Sequence, residues 1–170
     1  EQDVKIAGFV HECGKPSVVL MNKWDLVEKD TQTMITFNKK LEEDLKFMDY
    51  FIPLYTSTLT GQRINKVMEA VEKAYSNAHN RIGTSVLNEI LQSAILVNEP
   101  PARSGRRCKI YYITQAEVAP PTFIVFCNDA KLMHFSYVRY LENCIRKTVD
   151  YSGTPIKLII KSKADKNDNN

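Results

Sequence analysis

The first half of the chain alternates between stretches in which apolar residues recur every three or four positions and short runs that are apolar throughout. The first pattern predicts amphipathic helices, and the second predicts buried strands. Helices are expected at 1–13, 30–45 and 64–77, and strands at 17–21 and 51–56. This order, helix–strand–helix–strand–helix with short connections, is typical of a doubly wound α/β fold.

The helical periodicity also predicts which side chains face the core. On the first helix, the residues expected on one apolar face are Val4, Ile6, Ala7, Phe9 and Val10. On the second helix, with Asp30 and Thr31 as candidate caps, those expected inward are Met34, Ile35, Phe37, Leu41 and Leu45. Both helices are therefore expected to pack against the two predicted strands.

The pattern changes near Gly83, which predicts a domain boundary there. A helix capped by Ser85 is expected to run as far as the Pro100–Pro101 pair, which cannot continue it. Strands at 109–116 and 122–127, a helix at 137–149 and a strand at 156–160 follow. The first two strands read as a hairpin with a long loop. The order α-β-β-α-β predicts an α+β domain with a three-stranded sheet and helices on one of its faces.

These patterns divide the chain into three predicted regions. An α/β domain is expected over 1–82 and an α+β domain over 83–163, and 164–170 is expected to be a disordered tail because it holds almost nothing apolar.

Charge distinguishes the two halves. The formal net charge is +3, but 83–163 carries eleven Lys and Arg against six Asp and Glu, whereas 1–82 carries eleven against twelve. A basic domain favours an anionic partner, and RNA is the obvious one. The alternative is a solvated loop with a few arginines, and charge alone does not separate the two.

The sequence shows no pattern typical of a zinc site, a catalytic histidine or a membrane span. The four cysteines show no Cys-x-x-Cys spacing, which indicates free thiols in a reducing cytoplasm rather than zinc ligands. Each of the three histidines stands alone in sequence and is expected at a surface or helix end. No run reaches the length of about 18 apolar residues that a membrane span requires, and no signal peptide opens the chain. A cytoplasmic location without a membrane partner is expected.

The first predicted strand ends in a tetrapeptide suited to guanine. Asn22-Lys23-Trp24-Asp25 follows the apolar run, where ligands of open α/β sheets bind. The Asp25 carboxylate can accept two parallel bonds from guanine N1–H and the 2-amino group, which adenine cannot supply. Asn22 can bond the N7/O6 edge or brace the loop, and the Lys23 stem can lie against the base. The alternative is a charged turn after a strand.

A second polar turn follows the second predicted strand. Ser57, Thr58 and Leu59 begin a Ser-x-x-x-Gly turn whose backbone N–H groups can face a base oxygen. Such turns are common after strands, so this turn supports guanine binding only in combination with the tetrapeptide that follows the preceding strand.

Together these segments resemble the Der (EngA) family, the bacterial GTPases with two tandem G domains and a C-terminal KH-like domain. The first part resembles the C-terminal half of the second G domain, through Glu1-Gln2-Asp3, Ala7-Gly8, Asn22-Lys23-Trp24-Asp25-Leu26 and Ser57-x-Leu59-Thr60-Gly61-Gln62. The second part resembles the KH-like domain, through Lys109-Ile110-Tyr111-Tyr112-x-Thr114-Gln115, Pro120-Pro121-Thr122-Phe123, Tyr140-Leu141-Glu142-Asn143 and Gly153-Thr154-Pro155-Ile156.

The resemblance implies a partial P-loop-type G domain (a β-α-β-α half) followed by a KH-like domain. It implies a parent protein that hydrolyses GTP, binds GTP or GDP with Mg²⁺, and acts in assembly of the large ribosomal subunit. The sequence contains no Gly-x-x-x-x-Gly-Lys-Ser/Thr loop, which holds the phosphates in such enzymes. Its single Asp-x-x-Gly, at 150–153, falls in the second predicted domain and not in the G-domain half, where such a segment holds magnesium. We therefore expect no catalytic residue, no tightly bound nucleotide and no hydrolysis by this chain alone. Upstream G domains are expected to supply the segments that bind the phosphates and magnesium.

The resemblance implies an RNA partner, but this chain lacks the Gly-x-x-Gly loop with which KH domains bind RNA. Direct contact with rRNA would use another surface, and the candidates are Arg103, Arg106, Arg107 and Lys109. The alternative for this cluster is a hinge that docks on an upstream domain. Tyr111, Tyr112, Phe123 and Phe126 could stack bases, although at strand spacing such residues more often belong to a core or a domain interface. No DNA partner is expected.

Three functions stay open from sequence. The chain can be part of a GTPase, a module that binds rRNA or ribosomal protein without nucleotide, or a rigid scaffold. The guanine tetrapeptide favours the first.

Overall fold

A computed structural model describes residues 1–28, 30, 32–100, 102–103 and 105–162. They form two compact units, one of Glu1–His79 with Tyr151–Pro155, and one of Asn80–Asp150 with the chain from Ile156 onward. The first unit is a mixed α/β structure and the second an α+β structure, so the predicted fold class is confirmed. In the described residues, no helix is long and apolar enough to cross a membrane.

The first unit follows the predicted element order. Its helices are α1 (Gln2–Glu12), α2 (Thr33–Asp44) and α3 (Asn65–His79), and its strands are β1 (Val18–Met21) and β2 (Ile52–Tyr55). The two strands pair in parallel, with Met21 opposite Tyr55. Leu45, Met48 and Tyr50 are buried beside the strands, and α1 packs on them through Val4, Ala7 and Val10.

A segment from far along the sequence completes the first unit. The Ser17 N–H donates to the Gly153 carbonyl at 2.7 Å, and the Gly153 N–H donates to the Tyr50 carbonyl at 2.6 Å. The Thr154 hydroxyl donates to the Ala74 carbonyl at 2.9 Å, and the Asn77 side chain donates to the Ser152 carbonyl at 2.9 Å. Tyr151–Pro155 therefore joins the chain just before β1 and β2 to the middle of α3.

The second unit contains the predicted α-β-β-α-β order, formed by α4 (Thr84–Val97), β5 (Ile110–Glu117), β6 (Thr122–Cys127), α5 (Phe135–Thr148) and β7 (Lys157–Ser162). The sheet order is β5-β6-β7, antiparallel between the first pair and parallel between the second. Leu87 and Leu91 of α4, Leu141 and Ile145 of α5, and Ile113 of β5 meet in the core. The helices thus cover one face of the sheet.

An additional hairpin precedes this sheet and was not predicted. Strands β3 (Ala102–Arg103) and β4 (Arg106–Arg107) pair in antiparallel fashion. Gly105 lies between them at φ 74°, in the left-handed region that a residue without Cβ adopts without strain. Two residues per strand are too few to show an alternating pattern.

Several predicted details are wrong. Ile6 and Phe9 of α1 are 55% and 68% exposed, and Met34 and Ile35 of α2 are also exposed, because the helices meet the core along narrower faces than their apolar residues occupy. The cap of α4 is Gly83 rather than Ser85, which lies within the helix. The β5–β6 connection is only the four residues 118–121, so the hairpin loop is short.

Other predictions fall outside the described residues or stay untested. Asp30 accepts N–H bonds from Gln32 and Thr33 at 2.8 and 2.6 Å and so precedes α2 as a cap-like residue, whereas Thr31 lies outside the described residues. The 164–170 tail and Pro101 also lie outside them. The compact units divide between His79 and Asn80, and the domain limits of 1–82 and 83–163 stay a prediction.

Candidate functional site

The carboxyl ends of β1 and β2 lie side by side because the strands are parallel and in register. The backbone pairing continues beyond both strands. The Thr56 N–H donates to the Met21 carbonyl at 3.0 Å, and the Trp24 N–H donates to the Thr56 carbonyl at 3.0 Å. The loops that follow the two strands are therefore held together by their main chains.

Asn22 and Thr58 join these loops a second time. The Asn22 Oδ1 atom accepts a bond from the Thr58 N–H at 3.2 Å, and its Nδ2 donates to the Thr58 hydroxyl at 3.4 Å. Of the two sequence-based roles for Asn22, the structure shows the loop brace. Both residues are exposed, so the brace lies at the surface of this edge.

The residues after Asn22 form a tight turn anchored by an aromatic side chain. Lys23 adopts the left-handed conformation at φ 61° and is exposed. Trp24 is 3% exposed, and its ring centroid lies 4.3 Å from that of Tyr55 and 5.2 Å from that of Phe37. The burial of Trp24 fixes the 3-10 turn Trp24–Leu26, in which Asp25 is half-buried. In the described part of the chain, no group donates a hydrogen bond to the Asp25 carboxylate or forms an ion pair with it.

The second loop is a closed turn with few unused backbone donors. The Ser57 N–H donates to the Gln62 carbonyl at 3.1 Å, and the buried Ser57 hydroxyl accepts from the Thr60 N–H at 3.2 Å. Thr58 donates to Asn22, as described above. The side chain of Leu59 is 84% exposed, and among the described residues none accepts a hydrogen bond from its N–H. The Leu59 N–H is therefore available to an external acceptor.

The structure thus brings all six predicted nucleotide-contacting residues to one edge of the sheet: Asn22, Lys23, Asp25, Ser57, Thr58 and Leu59. A carboxylate without a partner and a neighbouring free N–H can serve a planar ligand that donates two parallel bonds and accepts another. That these residues bind a nucleotide stays a prediction.

The basic candidates lie in the second unit. Arg106 is exposed at the start of β4, and the Arg107 guanidinium forms an ion pair with Glu99 at 3.0 Å. The Lys109 ammonium lies 5.9 Å from the ring centroid of Tyr111. The side chain of Arg103 is outside the described residues. Exposed ion pairs of this kind contribute about 0–1 kcal/mol, so Arg107 is readily released to another anion.

The four aromatic candidates do not all lie on the same face of the β5–β6–β7 sheet. Phe123 is fully buried on the helix-covered side. Tyr112 and Phe126 lie opposite each other on β5 and β6, and their rings stack at a centroid distance of 4.5 Å. Both of these rings remain partly exposed, and Tyr111 is 38% exposed.

Sequence reasoning missed two supports of the first unit. One is Thr56, whose backbone bridges both loops and which no side-chain pattern indicated. The other is Tyr151–Pro155, whose contacts join residues 75 and 80 positions apart in sequence. Gly153, at φ 74°, was the one local signal that this segment adopts a special conformation.

Comparisons with known proteins match both units. Residues 81–161 match the family model described as the KH-domain-like region of EngA bacterial GTPase enzymes, C-terminal. The protein named GTPase Der from Alkaliphilus oremlandii is 50% identical over 163 residues, which is 96% of this chain and 37% of that protein. GTPase Der from Desulforamulus reducens is 49% identical over 166 residues, covering 98% of this chain and 38% of that protein. The chain spans a little over a third of the length of these relatives.

Proposed function

Because this chain belongs to the Der (EngA) family of bacterial GTPases, we propose that its first unit is the guanine-recognition part of a GTP-binding site. The observation that carries this proposal is the Asn22–Thr58 brace. It places the loop that bears Asp25 beside the Ser57–Leu59 turn, at the carboxyl edge of parallel strands. This edge is where open α/β sheets bind their ligands.

The groups left unused at this edge complement guanine. The carboxylate of Asp25 can accept bonds from guanine N1–H and the 2-amino group, while the Leu59 N–H can donate to O6. Adenine offers neither donor at those positions, and the unpaired carboxylate would cost about 1–3 kcal/mol. The exposed Lys23 stem can cover one face of the base.

Phosphate and magnesium binding are not part of this proposal for the chain itself. Its sequence holds no glycine-rich phosphate loop, and its single Asp-x-x-Gly, at 150–153, contacts the chain just before β1 and β2 and not the edge that bears Asp25. We propose that a preceding G-domain segment supplies them, and that this chain alone binds GTP or GDP only weakly and does not hydrolyse GTP.

The resemblance also supports a role for the longer protein in assembling the large ribosomal subunit in the cytoplasm. The excess of Lys and Arg over 83–163 supports contact with an anion such as rRNA. The alternative is a nucleotide-independent binding or scaffold module, in which the guanine edge has no ligand.

Calorimetry of nucleotide binding tests the proposal. The 170-residue chain and a longer protein, in which the preceding segment of the Alkaliphilus oremlandii relative is joined to residue 1, would each be titrated with GDP and ADP. We expect GDP to bind the longer protein at least about tenfold more tightly than the short chain and at least about tenfold more tightly than ADP. Equal affinities for GDP and ADP in the longer protein would refute guanine recognition at this edge.

A further inference from the structure

The two helices of the second unit, α4 and α5, lie side by side in antiparallel fashion. Near the start of α5, the Tyr137 hydroxyl donates to the carbonyl of Asn98, which caps the end of α4, at 2.7 Å. One turn later, the Tyr140 hydroxyl donates to the Ala94 carbonyl at 2.8 Å. A groove of about 480 Å³ lies between the helices, and all the residues that line it belong to α4 or α5. It therefore opens on the side of the helices that faces away from the sheet.

The floor and walls of this groove, which we call the α4–α5 groove, are largely apolar. From α4 it is lined by Val86, Ile90, Ala94 and Val97, which cover a length of about 16 Å at 1.5 Å per residue. Val86 and Val97, at its two ends, are 43% and 83% exposed. A long, apolar and solvent-exposed groove is typical of a surface that a ligand or partner covers.

Opposite charges flank the groove near the same end. Glu89 belongs to the first half of α4 and Lys147 to the last turn of α5, and both side chains line the groove and are exposed. Among the described residues, no ion pair or hydrogen bond involves either side chain. Because the two residues stand on different helices, one rim of the groove is acidic and the other is basic. An occupant that matches both rims presents a cation towards α4 and an anion towards α5.

The shape of the groove favours a helix as this occupant. An α-helix with apolar residues at i, i+3 or i+4 and i+7 presents an apolar stripe about 10 Å long, which fits within the length of the groove. The residues beside such a stripe can carry Lys or Arg on one flank and Asp or Glu on the other. The same groove on a second copy of the chain is concave as well, so two grooves that face each other leave the space between them unfilled.

We propose that the α4–α5 groove binds an amphipathic α-helix of a partner protein, whose apolar stripe enters the groove and whose flanking basic and acidic side chains pair with Glu89 and Lys147. The occupant is defined by its chemistry, an apolar stripe between flanks of opposite charge. This groove belongs to the second unit, whereas the guanine edge proposed above belongs to the first. The second unit thereby acts as a module that docks a protein helix.

Fluorescence anisotropy with the complete 170-residue chain tests the groove with labelled, stapled helical peptides of about 14 residues. All carry the same leucine stripe. The mixed peptide has lysines on one flank and glutamates on the other, and two further peptides have only lysines or only glutamates. At an ionic strength of about 50 mM, we expect the mixed peptide to bind most tightly, saturably and with a Kd below about 1 mM. A mixed peptide with serines in place of the leucines should not bind.

Charge reversal of each rim tests the pairing. Glu89→Lys makes both rims basic and should make the glutamate peptide bind about 2- to 10-fold more tightly than the mixed peptide. Lys147→Glu makes both rims acidic and should give the lysine peptide the same advantage. Glu117→Lys and Lys131→Glu make the same charge changes at exposed positions of the second unit outside the groove. Both controls should keep the preference for the mixed peptide.

A bulky side chain in the groove tests its role without changing any charge. Ser93 lines the groove and is exposed, so Ser93→Phe should place a ring in it and weaken binding of the mixed peptide at least about tenfold. Gln92→Phe adds the same ring at an exposed position of α4 that does not line the groove, and should leave affinity unchanged. Circular dichroism identifies any variant that fails to fold, and the two charge reversals carry the test if Ser93→Phe does so.

Three results would overturn the proposal: no binding of any leucine-stripe peptide, an equal effect of Ser93→Phe and Gln92→Phe, or an unchanged order of peptide affinities in both charge reversals. Sedimentation velocity of the chain alone checks the remaining occupant. A dimer that Ser93→Phe dissociates would identify a second copy in the groove and would also overturn the proposal, whereas a monomer supports it. Nucleotide calorimetry reports on the first unit separately, so failure of either proposal leaves the other intact.

Discussion

The amide of Asn22 meets both the backbone N–H and the hydroxyl of Thr58, at 3.2 and 3.4 Å. These two bonds join residues 36 positions apart in sequence and close the gap between the loops that follow β1 and β2. The amide therefore organises the proposed guanine-binding edge, and Asp25, three residues later, has no hydrogen-bond partner among the described residues. Loss of the brace should loosen the edge without removing any ligand-binding atom of Asp25.

We expect Asn22→Ala to lower the free energy of unfolding of the chain by about 1 kcal/mol, because both bonds are lost but the exposed partners regain water. Thr58→Ser is the matched control. It keeps the hydroxyl and the N–H that Asn22 contacts, so its unfolding free energy should stay within about 0.5 kcal/mol of the original. Urea unfolding followed by Trp24 fluorescence measures both. Equal losses in the two variants would show that the brace contributes nothing.

Gly153 offers a second stability test, because a Cβ atom there would lie 2.6 Å from the Cβ of Ala74 and 3.2 Å from the Ser17 carbonyl oxygen. Gly61 has the same φ of 74°, but a Cβ atom there meets nothing within 4 Å. Gly61→Ala should therefore cost only the left-handed backbone strain, about 1–2 kcal/mol. Gly153→Ala should cost about 2–4 kcal/mol, because overpacking adds to the same strain.

Urea unfolding compares the two glycine variants directly. A larger loss for Gly153→Ala shows that Tyr151–Pro155 is packed tightly against α3 and the start of β1. Equal losses would mean that this segment yields at little cost, and that it does not brace the first unit.

Alkaline pH should destabilise the second unit through Cys108. Burial, with a smaller contribution from Cys127, raises the pKa of the Cys108 thiol from 9.0 to about 11. The folded state therefore favours the protonated thiol. Its stabilising effect is complete below pH 9 and is lost as pH rises towards about 11, because the unfolded chain ionises first.

Urea unfolding at pH 8.5 and pH 10.5 measures this dependence. Cys108→Ala should be less stable at both values, because it leaves a small cavity, but should lose less free energy between them than the original chain does. Cys13→Ala, which removes an exposed thiol, should retain the original pH dependence. An identical pH dependence in all three proteins would show that Cys108 is not the titrating group.

The order of helices and strands followed from the sequence because local patterns specify it. The run before Asn22 is apolar and ends abruptly in polar residues, which marks both a buried strand and the edge where it ends. The guanine tetrapeptide and the Ser57 turn are recognisable for the same reason, since each directly follows a strand. Their proximity then follows from parallel pairing.

Burial was less predictable than element type. Ile6 and Phe9 share a helical periodicity with Val4 and Val10, yet they are exposed while the latter pair packs on the core. Periodicity identifies an apolar stripe, but the width of the face that meets a neighbour depends on tertiary packing.

Long-range contacts were the least predictable feature. Nothing near Thr154 in sequence indicates that its hydroxyl bonds to Ala74, 80 residues earlier. The stacking of Tyr112 on Phe126 likewise depends on the register of β5 and β6, which a shift between Ile110 and Tyr112 alters. Such contacts are set by the whole fold and have no local pattern.

The identity of the base reader is tested most directly by Asp25→Asn in the longer protein, with GDP and xanthosine diphosphate titrated by calorimetry. Xanthine carries an oxygen where guanine carries its 2-amino group, so an amide in place of the carboxylate can donate to it. We expect GDP binding to weaken about 5- to 150-fold and xanthosine diphosphate binding to strengthen, while Asp44→Asn on α2 changes neither. An unaltered ratio of the two affinities in Asp25→Asn would show that this carboxylate does not recognise guanine.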